Sequence, residues 1–209
     1  MRKLTVKLLE TPELILEANQ LVNDTYYEMY GIEYKGLDIN LLQNEGPVII
    51  GTLNEENQLT STLSVFVNPE KFPSNQFFNF DVPDFIYTNK SIEIGRLSRN
   101  FQVKPVFDIK HIEPIALLQG LMHYSKKHRV KYWQATLHPH LAYLLKHEMK
   151  LPYNIFFHGI PNIDKKNERF TKFMGSYLDN GIFYVWSDMQ LSFEALNKWD
   201  LNQFVNFEI

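Results

Sequence analysis

The segment from Ser91 to Phe101 places a carboxylate and a guanidinium three residues apart in a stretch that is predicted to form a β-strand. On a strand, this odd spacing points Glu93 and Arg96 to opposite faces unless a β-bulge re-aims one of them. Gly95 lies between them, where a bulge can form and a ligand can approach the backbone closely. Charges within a strand cost free energy unless they are paired or used. The two residues therefore form either a structural ion pair or a reactive centre, in which the carboxylate acts as a general base and the guanidinium holds a carboxylate.

The order of motifs around this strand resembles that of acyltransferases in the GNAT superfamily of N-acetyltransferases. The similarity is to two branches, the N-acyl amino acid synthases and the acyl-homoserine-lactone (autoinducer) synthases. Both carry a Glu-x-x-Arg pattern on the fourth strand of the sheet, which Glu93 and Arg96 match. In the N-acyl amino acid synthases a strand like residues 62–69 precedes this pattern, and a Pro-x-His segment, matched approximately by residues 139–143, follows it. The resemblance covers roughly residues 15–160 and depends on motif order.

Length and composition limit the class of protein. The chain of 209 residues is long enough for one buried core, so we expect a single acyltransferase domain over residues 1–209. It has no cysteine, hence no disulfide framework and no thiolate metal site. No window approaches the roughly 18 apolar residues of a membrane span, and the N-terminal residues lack a signal-peptide core. We therefore predict a cytoplasmic protein without stable membrane insertion.

Hydrophobic periodicity predicts alternating strands and helices. Thr11 and Pro12 suit a helix start, and Gly31 suits a helix end. Residues 68–90 are predicted to be an irregular segment with short helical pieces that acts as the lid of a pocket. The order is that of an α/β acetyltransferase-like (GNAT) fold, with a mixed central sheet and helices on both faces. The predicted strands are 3–9, 47–53, 58–67, 92–101, 131–136, 155–159 and 181–186, and the predicted helices are 12–30, 111–128, 139–149 and 191–199, with a loop at 34–44. The strands at 92–101 and 131–136 are expected to diverge, because a ligand arm must enter between them.

Charge is distributed unevenly along the chain. Residues 96–131 contain eight basic and two acidic residues, although the whole chain has a net charge of -3. A local basic face on an acidic protein favours an anionic partner at one place over general polyanion binding, so nucleic acid is not expected. The alternative for Lys126, Lys127 and Arg129 is a solvated helix C-terminus, where positive charge is favoured by the helix dipole.

The resemblance also bears on the acyl donor. The acetyltransferases of the superfamily usually hold the coenzyme A pyrophosphate with a glycine-containing loop after the fourth strand, but the corresponding residues 103–114 contain no glycine. The resembling synthases instead take acyl chains from acyl carrier protein, which implies a phosphopantetheine-borne acyl group as substrate and no bound cofactor. Acyl-coenzyme A is the alternative donor. Arg99, Lys104 and Lys110 are the candidates for donor contact, and His140 is implied to line the channel.

Three other features are assigned by sequence. His138 and His140 are too few ligands for a metal, and none is expected. The tyrosine that often donates a proton in the superfamily is displaced here, since Tyr143 stands one position early. The phenylalanines within residues 66–86 are predicted to form the apolar pocket for the acyl chain, and the helical stripes Tyr26/Tyr30 and Leu118/Met122 are predicted to be core packing.

The predicted reaction is transfer of a fatty acyl group from acyl carrier protein to the amine of a small acceptor, an amino acid. Glu93 is expected to take the amine proton, directly or through a water, or equally to position the amine by hydrogen bonding. Arg96 is expected to orient the acceptor carboxylate or Glu93 itself. Backbone amides near Leu97 and Ser98 are expected to hold the oxyanion. Three alternatives stay open: an autoinducer synthase, which the absence of arginine from residues 61–65 disfavours, a coenzyme A-dependent N-acetyltransferase, and a catalytically silent binding protein.

Overall fold

The computed structural model describes residues 3–31, 47–68, 70, 72–74, 78, 80, 82–161 and 179–209. The described residues form an eight-stranded mixed sheet with the strand order β6-β7-β5-β4-β3-β2-β1-β8. The strands are β1 Leu4–Leu8, β2 Val48–Leu53, β3 Leu59–Phe66, β4 Ser91–Arg99, β5 Tyr132–Leu137, β6 Asn154–Gly159, β7 Ile182–Asp188 and β8 Val205–Glu208. The helices are α1 Pro12–Tyr30, α2 Asp84–Thr88, α3 Ile112–Lys127, α4 Pro139–Tyr143 and α5 Met189–Leu196.

The ends of α1 follow the sequence signals. The Thr11 side chain accepts a hydrogen bond from the Leu14 N–H, and Pro12 occupies the first turn, where its missing N–H costs nothing. Gly31 ends the helix with φ 66°, a left-handed conformation that glycine adopts without strain. The predicted start and end of this helix are confirmed, while the predicted loop at 34–44 lies outside the described residues.

The sheet has helices on both faces, and neighbouring residues of β2 show the division. Ile50 belongs to the main core cluster with Leu117 of α3, whereas Ile49 belongs to a second cluster with Ala18 and Leu21 of α1. Because side chains of a strand alternate between faces, α1 and α3 pack on opposite sides of the sheet. The predicted α/β architecture is confirmed.

Two features differ from the sequence prediction. The residues predicted as one helix over 139–149 form α4 followed by a π-helical turn, Leu144–Glu148. The C-terminal strand β8 was not predicted, because its four residues are too few to show a period. It pairs in parallel with β1, from Leu4 opposite Val205 to Lys7 opposite Glu208.

The central strands β4 and β5 separate after a short shared ladder. They pair in parallel at Ser91–Tyr132, Ile92–Trp133 and Glu93–Gln134, and no later residues of the two strands are paired in the described register. The predicted divergence is therefore confirmed. Beyond Glu93 the two strands leave room for a ligand arm between them.

Candidate active site

A cleft of about 1150 Å³ opens where β4 and β5 diverge. Its lining comes from both sides of the sheet, since α1 contributes from one face and α3 from the other. Seven of the eight residues selected from the sequence line it: Arg96, Leu97, Ser98, Arg99, Lys104, Lys110 and His140. The fold thus brings the residues predicted to bind the donor to one place.

A β-bulge in β4 sets the direction of Arg96. Thr62 of β3 lies opposite Ser98 and Ser64 lies opposite Gly95, so β4 carries one extra residue between these pairs. The residue in the left-handed conformation is Arg96, with φ 55°, rather than Gly95. Its Nη2 donates to the Asn19 Oδ1 of α1 at 2.6 Å, which shows that Arg96 points to the α1 face.

Glu93 lies on that same face, but it does not line the cleft. Its neighbours in β4, Ile92 and Ile94, belong to the main core with α3, so the Glu93 side chain points the other way. It is 2% exposed and belongs to the last paired position before the strands separate. The bulge therefore brings Glu93 and Arg96 to one face despite their odd spacing, and Glu93 is the one of the eight selected residues that does not line the cleft.

The Glu93 carboxylate is held by donors from two segments. The Ser74 N–H lies 3.1 Å from Oε1 and 3.2 Å from Oε2, and the Ser74 hydroxyl donates to Oε2 at 2.6 Å. The Gln134 Nε2 donates to the same oxygen at 3.2 Å. Ser74 comes from the irregular residues 68–90 and Gln134 from β5, so the network joins the chain before β4 to the chain after it.

Burial controls the protonation of this carboxylate. Desolvation raises the pKa of Glu93 from 4.5 to about 7, although the hydrogen bonds from Ser74 and Gln134 act to lower it. Burial, together with the nearby Glu93, also raises the pKa of Tyr184, whose hydroxyl donates to the Ser74 Oγ at 3.3 Å. A carboxylate with a pKa near neutrality can both take and release a proton at physiological pH, as a general base must.

Three of the basic side chains around the cleft have acidic partners. Arg99 Nε lies 3.0 Å from Glu113 Oε2, and Lys110 Nζ lies 2.5 Å from Glu148 Oε2. His111 Nε2 lies 2.7 Å from that same Glu148 oxygen. These hydrogen bonds lower the pKa of Glu148, whereas burial raises the pKa of Glu113. The charge around the cleft is consequently close to balanced.

The N-terminus of α3 offers few backbone donors to an anion. Ile112 N–H donates to the Ile109 carbonyl at 3.3 Å, and Pro114 in the first turn has no N–H. Glu113 adds a carboxylate to the same turn. Residues 103–114 also contain no glycine. Neither their backbone nor their side chains therefore form a binding site for a pyrophosphate.

The basic segment does not form one face. Lys126, Lys127, Arg129 and Lys131 lie at or beyond the C-terminal end of α3, and all four are exposed. The cleft lies at the N-terminal end of that helix, about 24 Å away for 16 residues. The prediction of a single basic face is therefore wrong, since the helix carries the two groups of cations to opposite ends of the sheet.

Other contributors to the site were assigned differently or missed. Tyr26 of α1, predicted to be core, lines the cleft together with Thr25 and Met29. Thr136 also lines it, and its Oγ1 is buried without a hydrogen-bond partner among the described residues. Periodicity identified the apolar stripe of α1 but not what it faces, and no sequence signal selected Ser74.

The described phenylalanines of residues 66–86 do not line this cleft. Phe80 stacks on Tyr184 with ring centres 4.7 Å apart, and Phe85 contacts Trp186 at 4.7 Å edge to face. Tyr143 does not line the cleft either, since it is 59% exposed and stacks on His147. Phe80 and Phe85 therefore pack against aromatic residues of β7 and do not line the cleft, where the acyl chain was expected to bind.

Two general findings apply to the described part of the chain. None of its helices combines the length and the apolarity needed to cross a bilayer. No group of three or more histidine, aspartate or glutamate residues in it is placed to hold a metal ion.

Comparison with known proteins supports the fold. No protein-family model matches the sequence, and no curated protein matches it either. The solved structure of FeeM, an N-acyl amino acid synthase from uncultured soil microbes, has a TM-score of 0.62 at 14% identity and covers 99% of this chain and 100% of that one. The AHL synthase LasI has a TM-score of 0.61 at 8% identity, covering 95% of each chain.

An N-acetyltransferase structure completes the comparison. A putative N-acetyltransferase from Lactobacillus plantarum has a TM-score of 0.57 at 10% identity and covers 90% of this chain and 99% of that one. At such low identities the matches establish the fold and nothing finer. The chain has the GNAT fold, and the resemblance to N-acyl amino acid synthases, AHL synthases and N-acetyltransferases is confirmed at this level.

Proposed function

We propose that the chain is a single-domain N-acyltransferase that moves a fatty acyl group from a thioester donor to the amine of an amino acid. One observation carries the proposal: the β4–β5 ladder stops at Glu93, and a cleft lined from both faces of the sheet begins there. A thioester arm can enter from one face and an amine from the other. The single domain and a cytoplasmic location remain predictions that accompany this proposal.

The proposed reaction is direct attack of the amine on the thioester carbonyl. The N–C bond forms, the C–S bond breaks, and the donor leaves as a thiolate, which becomes the thiol when the base releases the proton that it took from the amine. Glu93 takes the amine proton, and because it is enclosed and outside the cleft lining, we expect a water to carry the proton to it. The bulge interrupts the regular β3–β4 register between Gly95 and Ser98, so the Leu97 N–H is our candidate for polarising the carbonyl.

Arg96 is proposed to bind the acceptor carboxylate. It lines the cleft, points to the α1 face and is fixed by Asn19, and Glu93 lies on the same face three residues earlier. A planar guanidinium recognises a carboxylate with two parallel hydrogen bonds. An α-amino acid carries its amine and its carboxylate on one carbon, which suits this arrangement of a base next to a fixed cation.

Acyl carrier protein is the proposed donor. The first turn of α3 lacks the glycines and free amides of a pyrophosphate site, and Glu113 and Glu148 already hold Arg99 and Lys110. A single phosphate on a phosphopantetheine arm needs less neutralisation than the phosphates of coenzyme A. An autoinducer synthase is disfavoured, because β3 contains no arginine where those enzymes carry one.

The test uses purified protein and donors matched in acyl chain length. Acyl carrier protein thioesters and coenzyme A thioesters are each mixed with the twenty amino acids and S-adenosylmethionine, and products are identified by mass spectrometry. We expect N-acyl amino acids from the carrier-borne donor, and none with the Glu93→Gln variant. Equal turnover of acyl-coenzyme A would overturn the donor, a homoserine lactone product would overturn the acceptor, and no N-acyl product from either donor would overturn the function.

A further inference from the structure

Ser74 makes more hydrogen bonds to Glu93 than any other described residue. Both its N–H and its hydroxyl donate to the carboxylate, at distances of 2.6 to 3.2 Å. The residue is fully buried and belongs to the short helical turn before the aromatic residues 78 and 80. The irregular segment before β4 therefore delivers two donors to the same carboxylate.

The neighbours of the Ser74 hydroxyl fix its direction. The Gln134 Nε2 donates to Ser74 Oγ at 3.1 Å, and the Tyr184 hydroxyl donates to it at 3.3 Å. Since the oxygen already accepts two hydrogen bonds, its single proton is left for Glu93 Oε2. The stacking of Tyr184 on Phe80, with ring planes 13° apart, holds the second of these donors in place.

We propose that Ser74 is the positioning residue of the general base, holding the Glu93 carboxylate in its ionised form and in one orientation through its N–H and its hydroxyl. This inference rests on the proposed function for its catalytic meaning. The donors facing the carboxylate all supply protons to its oxygens, an arrangement that favours the charged form over the acid. Without these hydrogen-bond donors, the buried Glu93 side chain would stay protonated over a wider pH range.

The groups that face Glu93 do not offer another cause for a change in its titration. Gln134 on β5 and Ser74 carry no charge. Tyr184 on β7 stays neutral, since burial raises its pKa, and Tyr87 of α2 acts on that tyrosine in the same direction. The cation on the same face of β4 is Arg96, whose Nη2 donates to the Asn19 Oδ1 of α1.

The experiment measures the titration of Glu93 directly. Protein labelled with ¹³C at the glutamate side-chain carboxyl is titrated by NMR, and the Glu93 signal is assigned as the one lost in Glu93→Gln. In Ser74→Ala the backbone N–H remains and the hydroxyl is removed, so we expect the midpoint to rise by about one pH unit, as a hydrogen bond to a charged group predicts. Ser74→Cys, close in size but a weak donor, should give the same direction if Ser74→Ala does not fold.

Ser192 provides a matched control. Like Ser74 it is fully buried and uses its hydroxyl in three hydrogen bonds, to Trp133, Ser187 and Asp188. Ser192→Ala should lower stability and leave the Glu93 midpoint within about 0.2 units of wild type. A Glu93 midpoint that is unchanged in both Ser74 variants, or that moves as much in Ser192→Ala, would overturn the proposal.

The activity profile then separates the two proposals. If the wild type transfers acyl groups, the acidic limb of its kcat/KM profile should shift upward in Ser74→Ala by the amount seen in the NMR titration. A shifted NMR midpoint in a protein that acylates no amine would overturn the proposed function and leave the Ser74 assignment standing. An enzyme that transfers acyl groups but whose Glu93 midpoint does not move in Ser74→Ala would overturn the Ser74 assignment and leave the proposed function standing.

Discussion

The two strands β4 and β5 create two different environments on either side of the pair Glu93–Gln134. Before and at this pair the ladder is intact, the carboxylate is enclosed, and donors from Ser74 and Gln134 satisfy it. After it the strands separate into a cleft with cations such as Lys104 and Lys110 along its wall. One region is closed and encloses a carboxylate, and the other is open and has exposed lysines along its wall.

The difference has a physical basis in solvation. Burial raises the pKa of Glu93 to about 7, whereas Lys104 and Lys110 along the cleft are exposed to solvent. The divergence of the parallel strands β4 and β5 places these two environments next to each other on the same strands. The β4 bulge turns the Arg96 side chain to the α1 face of the sheet, on which Glu93 also lies.

The largest expected effect comes from the closed region. Glu93→Gln keeps the shape of the side chain but cannot take a proton near neutrality, so transfer should fall a hundredfold or more. The folded pKa of Glu93 lies above its ordinary value of 4.5, so wild-type stability falls as pH rises from 4.5 to about 7. Wild-type protein should therefore be less stable at pH 8 than at pH 4.5, by up to about 3 kcal/mol in urea unfolding, and Glu93→Gln should lose this pH dependence. A variant that is less active only because it is unfolded would contradict both statements.

The pH dependence of wild type is the next largest effect. Because only ionised Glu93 acts as a base and its pKa is about 7, kcat/KM should fall about tenfold per unit below that pH and approach about a hundredfold loss at pH 5. Rate measurements between pH 5 and 8 check this. An acidic limb centred near 4.5 would show that Glu93 is solvated or is not the base.

Arg96→Lys tests whether Arg96 in the open cleft binds the carboxylate of the acceptor whose amine is deprotonated by the enclosed Glu93. Lysine keeps the charge but loses the two-pronged hydrogen bond, so KM for an amino acid should rise on the order of tenfold. An acceptor amine without a carboxylate should show no such rise. Arg129→Lys is the matched control, since Arg129 has a similar φ of 56° beyond the far end of α3. Equal effects on both acceptors would assign Arg96 a structural role.

The smallest effect concerns the open region. Reversing Lys104 and Lys110 to glutamate should slow association of acyl carrier protein by several-fold to about tenfold and leave dissociation nearly unchanged. The matched reversal of Lys126 and Lys127, at the other end of α3, should have little effect, because exposed charges are screened beyond about 8 Å at physiological ionic strength. Stopped-flow binding at two salt concentrations distinguishes the pairs. Equal slowing by both would place the carrier elsewhere.

Local sequence signals predicted most elements of the fold. Thr11, Pro12 and Gly31 set the limits of α1 because caps act within a few residues. The short strand β8 could not be found this way, since its stability comes from pairing with β1, about 200 residues earlier in the chain. The π-helical turn after α4 was likewise missed, because its residues have ordinary helical composition.

For the site, the sequence by itself determined which features are candidates for chemistry. These are the Glu93–Arg96 spacing, the glycine-free segment 103–114 and the basic residues that follow β4. The tertiary structure alone decided how they are used. It put Ser74 against Glu93, turned Arg96 toward Asn19, and placed Lys110 and Lys126 at opposite ends of α3. Burial, hydrogen-bond partners and distances between charges depend on contacts between residues far apart in the chain, and no local pattern encodes them.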